Sequence, residues 1–364
     1  MATFKYGSNS LLTLTSRITT PSIHIQKDGN HWYVPLFSGN KGSAVKSGDY
    51  NYTLGGLKVG SYRAAIGREE VIINIYVFSG DDTTWILTSK GELYGCGYNS
   101  TGQQGSGDTS NVLVFTKRAE NVKEVICSRD TTWYIDNNNN LYGCGYNWHG
   151  QQGSNRTPLS VLVFTKRASN VKDVICSHST TWYIDNNNNL YGCGSNSTGQ
   201  QGSGDTDEVS TFTKRASNVK EVICSYSTTW YIDNNNNLYG CGDTWNGQQG
   251  SGGSGYGNYV SAFTKRASNV KEVICSSSTT WYIDNNNNLY GCGSNSTGQQ
   301  GSNSTSNVLT FTKRASNVKE VKCSDETTWY IDNNNNLYGC GNNITGQQGS
   351  GDTADVLVFT KREL

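Results

Sequence analysis

The sequence has 364 residues, enough for one large buried core or for two domains. Lysine plus arginine and aspartate plus glutamate both number 29, so the formal net charge is zero. This balance argues against a general nucleic-acid binder, which needs a cationic surplus to displace counterions from phosphates. Only 16% of residues are charged and 11% are aromatic, which favours an all-β protein with many short strands over a disordered chain.

Two further classes are argued against by the distribution of apolar residues. No stretch approaches the ~18–20 consecutive apolar residues of a transmembrane helix. The first ten residues lack the apolar core of a secretory signal. We therefore expect no membrane span, synthesis in the cytoplasm and no export by the secretory route.

Residues 1–68 lie outside the repeats that fill the rest of the chain. Alternating polarity at 23–26, a turn signal at Asp28-Gly29-Asn30 and apolar residues at 32–34 predict two paired strands. Residues 50–54, followed by Gly55-Gly56, predict a further strand and turn. We predict a small β domain, either a simple cap or an anchor and oligomerisation module.

From about residue 69 onwards, one unit is repeated six times. The segment Thr131–Gly145 returns almost letter for letter four times and once in a looser copy. The copies are Thr180–Gly194, Thr228–Gly242, Thr279–Gly293, Thr327–Gly341 and, more loosely, Thr83–Gly97. The tryptophans in these segments are separated by 48, 49, 48, 51 and 48 residues, a period typical of propellers and solenoids.

Each unit contains four short strand-like runs and no helical periodicity. In the second unit these runs are Val122–Cys127, Thr132–Ile135, Leu141–Tyr146 and Val161–Lys166. Four strands joined by tight turns in about 50 residues predict one propeller blade. Residues 69–364 are therefore predicted to form six four-stranded blades.

The connection between the second and third runs is predicted to be a tight turn. Asp136–Asn140 is all Asp and Asn, and Thr88–Glu92 occupies the same place in the first unit. Gly91 aligns with Asn139, and both residue types tolerate a left-handed backbone. The spacing lacks the Gly and the distal Glu of a calcium loop, so we predict a structural turn and no metal site.

With the unit laid out, it resembles the RCC1 (regulator of chromosome condensation) repeat. The shared pattern is a small polar pair, a turn, an apolar-Tyr-Gly-Cys-Gly strand end, an Asn and a Gly-Gln-Gln-Gly tetrad. In the second unit these elements are Thr131-Thr132, Leu141–Gly145, Asn147 and Gly150–Gly153. The resemblance implies a propeller. The family usually has seven blades, so either six blades close the ring, as we favour, or an N-terminal segment adds strands. The repeated tryptophans are predicted to fill the core between blades.

The eleven cysteines repeat with the unit. Six lie in Gly-Cys-Gly and five precede a serine. We predict buried free thiols in a reducing compartment, because first and third strands lie roughly 9–10 Å apart, too far for a disulfide. None of the four histidines forms a metal-ligating or nucleophile-activating pair, and no phosphate loop is present. We therefore predict no catalytic activity and no cofactor.

The units differ from one another mainly at one end of their strands. The connections between first and second strands, and between third and fourth strands, vary, whereas the other two connections are nearly identical. Aromatic and charged residues in exposed loops are typical of binding interfaces. We predict that the variable connections bind a protein or glycan through Arg129, Asp130, Trp148, His149, His178, Tyr226, Trp245, Tyr256, Tyr259, Asp325 and Glu326. The repeated Lys-Arg pairs of the constant end are interpreted as solvated strand ends with local salt bridges.

The resemblance implies three classes of function. One is guanine-nucleotide exchange with chromatin association, which the zero net charge disfavours. Another is a proteinaceous enzyme inhibitor, which the missing secretory signal disfavours. The third, which we favour, is a non-catalytic adhesion or structural module of a virion or cell-surface assembly. In that interpretation residues 1–68 hold the propeller in the assembly or make a homo-oligomer, nucleic acid is not expected as a partner, and no segment spans a membrane.

Overall fold

The computed structural model describes residues 75–363 with their side chains and, as backbone, the strands within residues 2–35. All regular secondary structure in these residues is β-strand. In this part of the chain there is no helix with the length and hydropathy to cross a membrane. The predicted all-β class is confirmed.

An antiparallel sheet lies at the N-terminus, with its strands in sequence order. Its strands are β1 (Ala2–Tyr6), β2 (Ser10–Ser16), β3 (Ser22–Lys27) and β4 (Asn30–Pro35). Strands β3 and β4 confirm the predicted pair around the turn at 28–30, with Ile25 opposite Trp32. The strand predicted at 50–54 lies outside the described residues, and the role of residues 1–68 stays a prediction.

Six four-stranded sheets follow, one for each sequence repeat. Sheets 1 to 3 comprise β5 (Ile75–Ser79), β6 (Thr83–Thr88), β7 (Leu93–Gly97) and β8 (Val112–Ala119); β9 (Val122–Cys127), β10 (Thr131–Asp136), β11 (Leu141–Tyr146) and β12 (Ser160–Ala168); and β13 (Val171–Cys176), β14 (Thr180–Asp185), β15 (Leu190–Gly194) and β16 (Val209–Ala216). Sheets 4 to 6 comprise β17 (Val219–Cys224), β18 (Thr228–Asp233), β19 (Leu238–Asp243) and β20 (Tyr259–Ala267); β21 (Val270–Cys275), β22 (Thr279–Asp284), β23 (Leu289–Gly293) and β24 (Val308–Ala315); and β25 (Val318–Cys323), β26 (Thr327–Asp332), β27 (Leu337–Gly341) and β28 (Val356–Arg362).

Every one of these sheets is a simple antiparallel meander in which consecutive strands are neighbours. The prediction of six sheets of four strands is confirmed. In sheet 2 the first and third strands have the predicted bounds, whereas the fourth is longer than predicted and ends at Ala168. The extra residues are Ser160, Arg167 and Ala168, none of which is a large apolar residue, so the apolar pattern did not include them.

The core lies between successive sheets. Trp182 in β14 is fully buried and packs in one cluster with Val219 and Val222 of the next sheet. Its ring meets that of Phe263, in the fourth strand of the next sheet, edge to face at 5.8 Å. An equivalent cluster in sheets 1 and 2 joins Trp85 to the valine pair of β9. The prediction that the repeated tryptophans fill the core between sheets is confirmed at Trp85, Trp182, Trp230 and Trp281, and Trp133 is also fully buried.

The sixth tryptophan departs from this pattern. Trp329, Ile331 and Leu337 are only half-buried, whereas their equivalents in sheet 5 are fully buried. Within residues 75–363 no first strand follows β28 to supply the valine pair that covers the other sheets. The prediction therefore holds for the four tryptophans packed against a following sheet and is wrong in extent for the sixth.

The Gly-Cys-Gly strand ends follow from this packing. A Cβ on Gly192 would lie 2.4 Å from the Trp182 ring, closer than any side chain allows. Strand β15 pairs Gly192 directly opposite Trp182, so the indole lies on bare backbone. The first glycine of each triplet is therefore required by the tryptophan across the strand pair.

The Asp-Asn turns form as predicted. Asn139 has φ +59° and Gly91 has φ +78°, the left-handed conformation expected at both positions. Asn139 and its equivalents supply that conformation in the later repeats, which have asparagine in place of glycine. The shared preference of glycine and asparagine for a left-handed backbone at this one position was enough to align the first repeat with the others.

All eleven cysteines are free thiols in the structure, and the third-strand cysteines of sheets 2 to 6 are fully buried. Cys193 is an example, with its Sγ donating to the Gln151 carbonyl at 3.3 Å. Burial raises the pKa of the Cys275 thiol to about 12. Cys96 and the five first-strand thiols are half-buried, less than predicted. The compartment in which the protein resides stays a prediction.

Candidate functional site

The two ends of each meander carry different kinds of connection. We call the connections from first to second strand and from third to fourth strand the variable face. In sheet 4 these are residues 225–227 and 244–258. The connections from second to third strand, together with those between sheets, form the constant face. Antiparallel pairing places the two variable connections of a sheet at the same end.

The constant face satisfies its own polar groups. The Asp233 carboxylate accepts the N–H groups of Asn235 and Asn237 at 2.9 and 2.8 Å, and also the Asn237 side-chain amide. The neighbouring Asn234 donates to Asn218 in the preceding connection at 2.9 Å. Equivalent bonds form at Asp185, Asp284 and Asp332. These side chains build turns and have few free groups for a ligand.

The repeated Lys-Arg pairs at the constant face behave differently from the prediction. Lysines are exposed and bond locally, as Lys117 does to Glu92 at 2.7 Å. The arginines are half-buried, and burial lowers the pKa of Arg215, Arg266 and Arg314. The interpretation as solvated strand ends therefore holds for the lysines and is wrong for the arginines, whose side chains lie along the packed part of the sheet.

A buried asparagine shapes the long variable connection in five of the six sheets, and Thr244 holds its place in sheet 4. The Asn196 amide, fully buried, donates to Ser203 Oγ at 2.8 Å and to the Asp207 carbonyl at 3.0 Å. Its Oδ1 accepts the Gln201 N–H, while Gln201 Nε2 donates to the Cys193 carbonyl. Equivalent bonds recur at Asn99, Asn295 and Asn343. The Asn and the second Gln of the tetrad thus fold the connection back on its own strand.

The first glutamine of the tetrad reaches the next sheet. Gln299 Nε2 donates to the Asp325 carbonyl at 3.0 Å, and Thr297 Oγ1 donates to the Glu326 carbonyl at 3.1 Å. Gln151 makes the same contact with the His178 carbonyl at 3.5 Å. Constant side chains therefore hold the backbone of the short variable connection, and the side chain at that point is free to differ between repeats.

Three aromatic rings form a continuous row across sheets 2 to 4. The His178 and Tyr226 rings stack at 5.9 Å with an interplanar angle of 20°. Tyr146, at the end of β11, lies 6.5 Å from His178 on the other side. We call Tyr146, His178 and Tyr226 the aromatic row. Tyr226 is 61% exposed, so the row presents a ring face to solvent. Tyr146 was missed from sequence, although serine or aspartate holds its place in sheets 3 and 4.

An ion-paired group flanks this row. His149 Nδ1 lies 2.6 Å from Glu208 Oε1, and Arg156 Nη1 lies 2.5 Å from Glu208 Oε2. Trp148, beside His149, is 48% exposed and its carbonyl accepts from Arg156. Glu208 and Arg156 were missed. Glu208 replaces an asparagine found in two sister repeats, a difference that sequence comparison within the chain could have flagged.

The remaining predicted residues form smaller groups. Trp245 and Tyr256 meet edge to face at 5.5 Å, and Tyr256 is 89% exposed. Tyr259 opens β20 and is 46% exposed. Asp325 Oδ1 accepts the Ser277 N–H at 2.9 Å, and Glu326 Oε2 accepts from Asn342.

Arg129 and Asp130 belong to the variable face of a separate compact unit built around sheet 1. The Arg129 carbonyl accepts from Gln103 at 3.4 Å, and the Asp130 carbonyl accepts from Thr101 at 3.2 Å. The same backbone support is thus present there. All eleven predicted residues lie on variable connections or directly beside them, and their role in binding stays a prediction.

The chemistry of this surface is that of recognition by packing and charge. Over residues 75–363 no three His, Cys, Asp or Glu side chains are arranged to hold a metal ion. The exposed groups include aromatic rings, carboxylates and two arginines, Arg129 and the ion-paired Arg156. Rings of this kind contribute most of the energy of protein interfaces when a partner covers them.

Comparisons with known proteins address the fold. No protein-family profile matches the sequence. No curated protein sequence matches it either. Among solved structures, Prp20p from Saccharomyces cerevisiae, described with its binding properties to Gsp1p and histones, is similar over 80% of this chain and 77% of that chain, with 16% identity and a TM-score of 0.63.

Two further structures give the same picture. Human WBSCR16 is similar over 83% of this chain and 84% of that chain, with 16% identity and a TM-score of 0.62. Yeast RCC1 (Prp20) bound to Kap60 is similar over 79% and 75%, with 16% identity and a TM-score of 0.61. At this identity the likeness establishes the fold and leaves activity open.

Proposed function

Because this chain has the fold of an RCC1-like β-propeller with six four-stranded blades, we propose that it is a non-catalytic propeller that binds a protein partner through the variable face. The observation that carries the proposal is that side chains shared by the repeats hold the loop backbone, while the exposed side chains differ between repeats. Constant amides fix the loop backbone, as Gln299 does at Asp325, while exposed rings differ from sheet to sheet.

The structural neighbours support the coarse part of this proposal. Prp20p is described with Gsp1p and histones, and yeast RCC1 with Kap60, so propellers of this fold carry protein-binding surfaces. Nucleotide exchange and enzyme inhibition are finer alternatives that no observation on the described residues favours. The virion or cell-surface role rests on composition alone. We keep it, with anchoring or oligomerisation by residues 1–68 and a glycan as partner, as hypotheses secondary to protein binding.

The test uses the residues that sister repeats carry at the same positions. The variant Trp148→Ser/Tyr226→Ser/Trp245→Ser removes three exposed rings, and serine already occupies the first two places in Ser197 and Ser277. A matched control, Asn187→Ser/Asn235→Ser/Asn286→Ser, alters three exposed side chains of the constant face. Both variants should keep the thermal midpoint of the parent protein.

Affinity capture from the source cells, with quantitative mass spectrometry, reads the outcome. Proteins enriched by the parent chain and by the control variant, and lost with the triple ring variant, are the expected result. Capture that is unchanged in the ring variant, or lost in the control, would refute the assignment to the variable face.

A further inference from the structure

The short connections contact one another between sheets 3 and 4, through aromatic rings, and between sheets 5 and 6, through a carboxylate. His178 stacks on Tyr226 in the next sheet. Between sheets 5 and 6, the Ser277 N–H donates to Asp325 at 2.9 Å. The equivalent position thus carries rings in sheets 3 and 4 and a carboxylate in sheet 6. One border of the variable face is apolar and the other is anionic.

The charge on this face is strongly one-sided. Between residues 147 and 355 the variable connections contain seven acidic residues, one arginine and no lysine. The acids are Asp205, Asp207, Glu208, Asp325, Glu326, Asp352 and Asp355. The arginine, Arg156, is already paired with Glu208. Lys322, next to the last residue of β25, is paired with Glu320 at 3.2 Å.

The opposite end of the same sheets carries the cations. Nine lysines and five arginines lie within a few residues of the constant connections, against nine acids at the same end, which leaves an excess of five cations. The lysines are Lys166, Lys172, Lys214, Lys220, Lys265, Lys271, Lys313, Lys319 and Lys361, the arginines are Arg167, Arg215, Arg266, Arg314 and Arg362, and the acids are Asp173, Asp185, Glu221, Asp233, Glu272, Asp284, Glu320, Asp332 and Glu363. The formal net charge of zero therefore conceals a separation of sign between the two faces. Such a separation steers a cationic partner to the variable face and repels nucleic acid from it.

From this charge complementarity we propose that the variable face binds an arginine-rich segment of a protein partner. The inference rests on the protein-binding function proposed above and names the chemistry of the partner. A guanidinium is planar, so one arginine of the segment can stack on the exposed Tyr226 ring while another pairs with the carboxylates of Asp325 and Glu326. Lysine has no flat face to stack, so arginine should be preferred.

The test measures binding of defined fluorescent peptides by anisotropy. The probes are a short peptide of alternating arginine and glycine, the same peptide with lysine, and the same peptide with citrulline, which keeps the shape but not the charge. We expect affinity in the order arginine, lysine, citrulline, and an arginine affinity that falls as salt is raised. Citrulline binding equal to arginine binding would overturn the proposal.

Variants built from sister residues locate the site. Tyr226→Ser, and Asp325→Ser with Glu326→Ser, take the residues of the equivalent Ser277 and Ser278 and should each weaken arginine-peptide binding about tenfold. The charge-matched control, Glu92→Asn with Glu120→Ser, removes two acids from the constant face and should keep the affinity. Equal losses in both double variants would show diffuse attraction and overturn the proposal.

The two proposals fail in different ways. If no arginine peptide binds the parent chain, yet the triple ring variant still loses a captured protein, the partner chemistry is wrong and the binding face is right. If capture is insensitive to the ring variant, the binding face itself is wrong.

Discussion

The variable and constant faces lie at the two ends of the same strands. Polar side chains form the turns themselves at the constant face, whereas at the variable face they support loops whose exposed side chains differ. At the constant face the Asp233 carboxylate accepts three hydrogen bonds from residues of its own turn, Asn235 and Asn237. At the variable face the buried amides hold the loop backbone, and exposed side chains such as Tyr226 and Trp245 make few contacts with the scaffold. The backbone is therefore the same from repeat to repeat at both faces, whereas the side chains differ between repeats only at the variable face.

The largest effect should separate two tryptophans of one sheet. Trp230 is fully buried between sheets 4 and 5, and replacing it with alanine should cost about 3–5 kcal/mol of unfolding free energy. Trp245, half-exposed on the variable face, should change stability by less than about 0.5 kcal/mol on the same substitution. Denaturant midpoints measured side by side test this, and similar losses would break the distinction between scaffold and surface.

A second, smaller contrast concerns two glycines of the same repeat. A Cβ on Gly240 would lie 2.4 Å from the Trp230 ring, so Gly240→Ala should destabilise by about 1–3 kcal/mol. On the variable face a Cβ on Gly253 would have nothing nearer than Ser251 Oγ at 3.8 Å, and Gly253→Ala should be neutral. Thermal midpoints of the two variants decide the matter, and a tolerated Gly240→Ala would show that the indole can move.

The carboxylates of the two faces provide a third contrast. Asp233→Ala should cost about 1–3 kcal/mol because three buried or half-buried donors lose their acceptor. Asp325→Ser, an exposed position where the sister repeat holds Ser277, should cost less than about 0.5 kcal/mol. Urea denaturation at neutral pH measures both, and equal costs would mean that the variable face also carries the fold.

The smallest effect is a change in pH dependence. Burial beside Tyr239 raises the pKa of Tyr231, so the folded protein keeps a proton that the unfolded chain releases near pH 10. The stabilisation is therefore complete below about pH 10 and declines above it. Tyr231→Phe should reduce that decline by roughly 1 kcal/mol at about pH 11. An unchanged slope between the two proteins would contradict the assigned burial effect.

Features that depend on neighbouring residues could be predicted from the sequence, whereas contacts between distant parts of the chain could not. The Asn139 turn was predictable because its left-handed backbone is a property of one residue. The strand count and the tryptophan core followed from periodicity. The pairing of His149 with Glu208 was not predictable, because it joins two loops 59 residues apart whose approach depends on packing between sheets. Tyr146 was missed for the same reason, since its partner His178 lies in another repeat.

The half-burial of the arginines was also beyond the sequence. Lys214 and Arg215 are adjacent and both cationic, and only the alternation of the strand decides which one faces the packed side. Leu190 pairs with Ala216 and Tyr191 with Lys214, so a bulge at Arg215 shifts the register and decides which side chain faces the packed side. No residue pattern in these repeats indicated that bulge.

The central claim is that the variable face, and not the constant face, contacts the partner. Hydrogen exchange of the complex with the captured protein tests it most directly, by comparing the short connections 225–227 and 324–326 with the turns 234–237 and 333–336. We predict that partner binding slows exchange in the two short connections and leaves exchange in the two turns unchanged. Slowed exchange at the Asp-Asn turns, with none at the short variable connections, would contradict it.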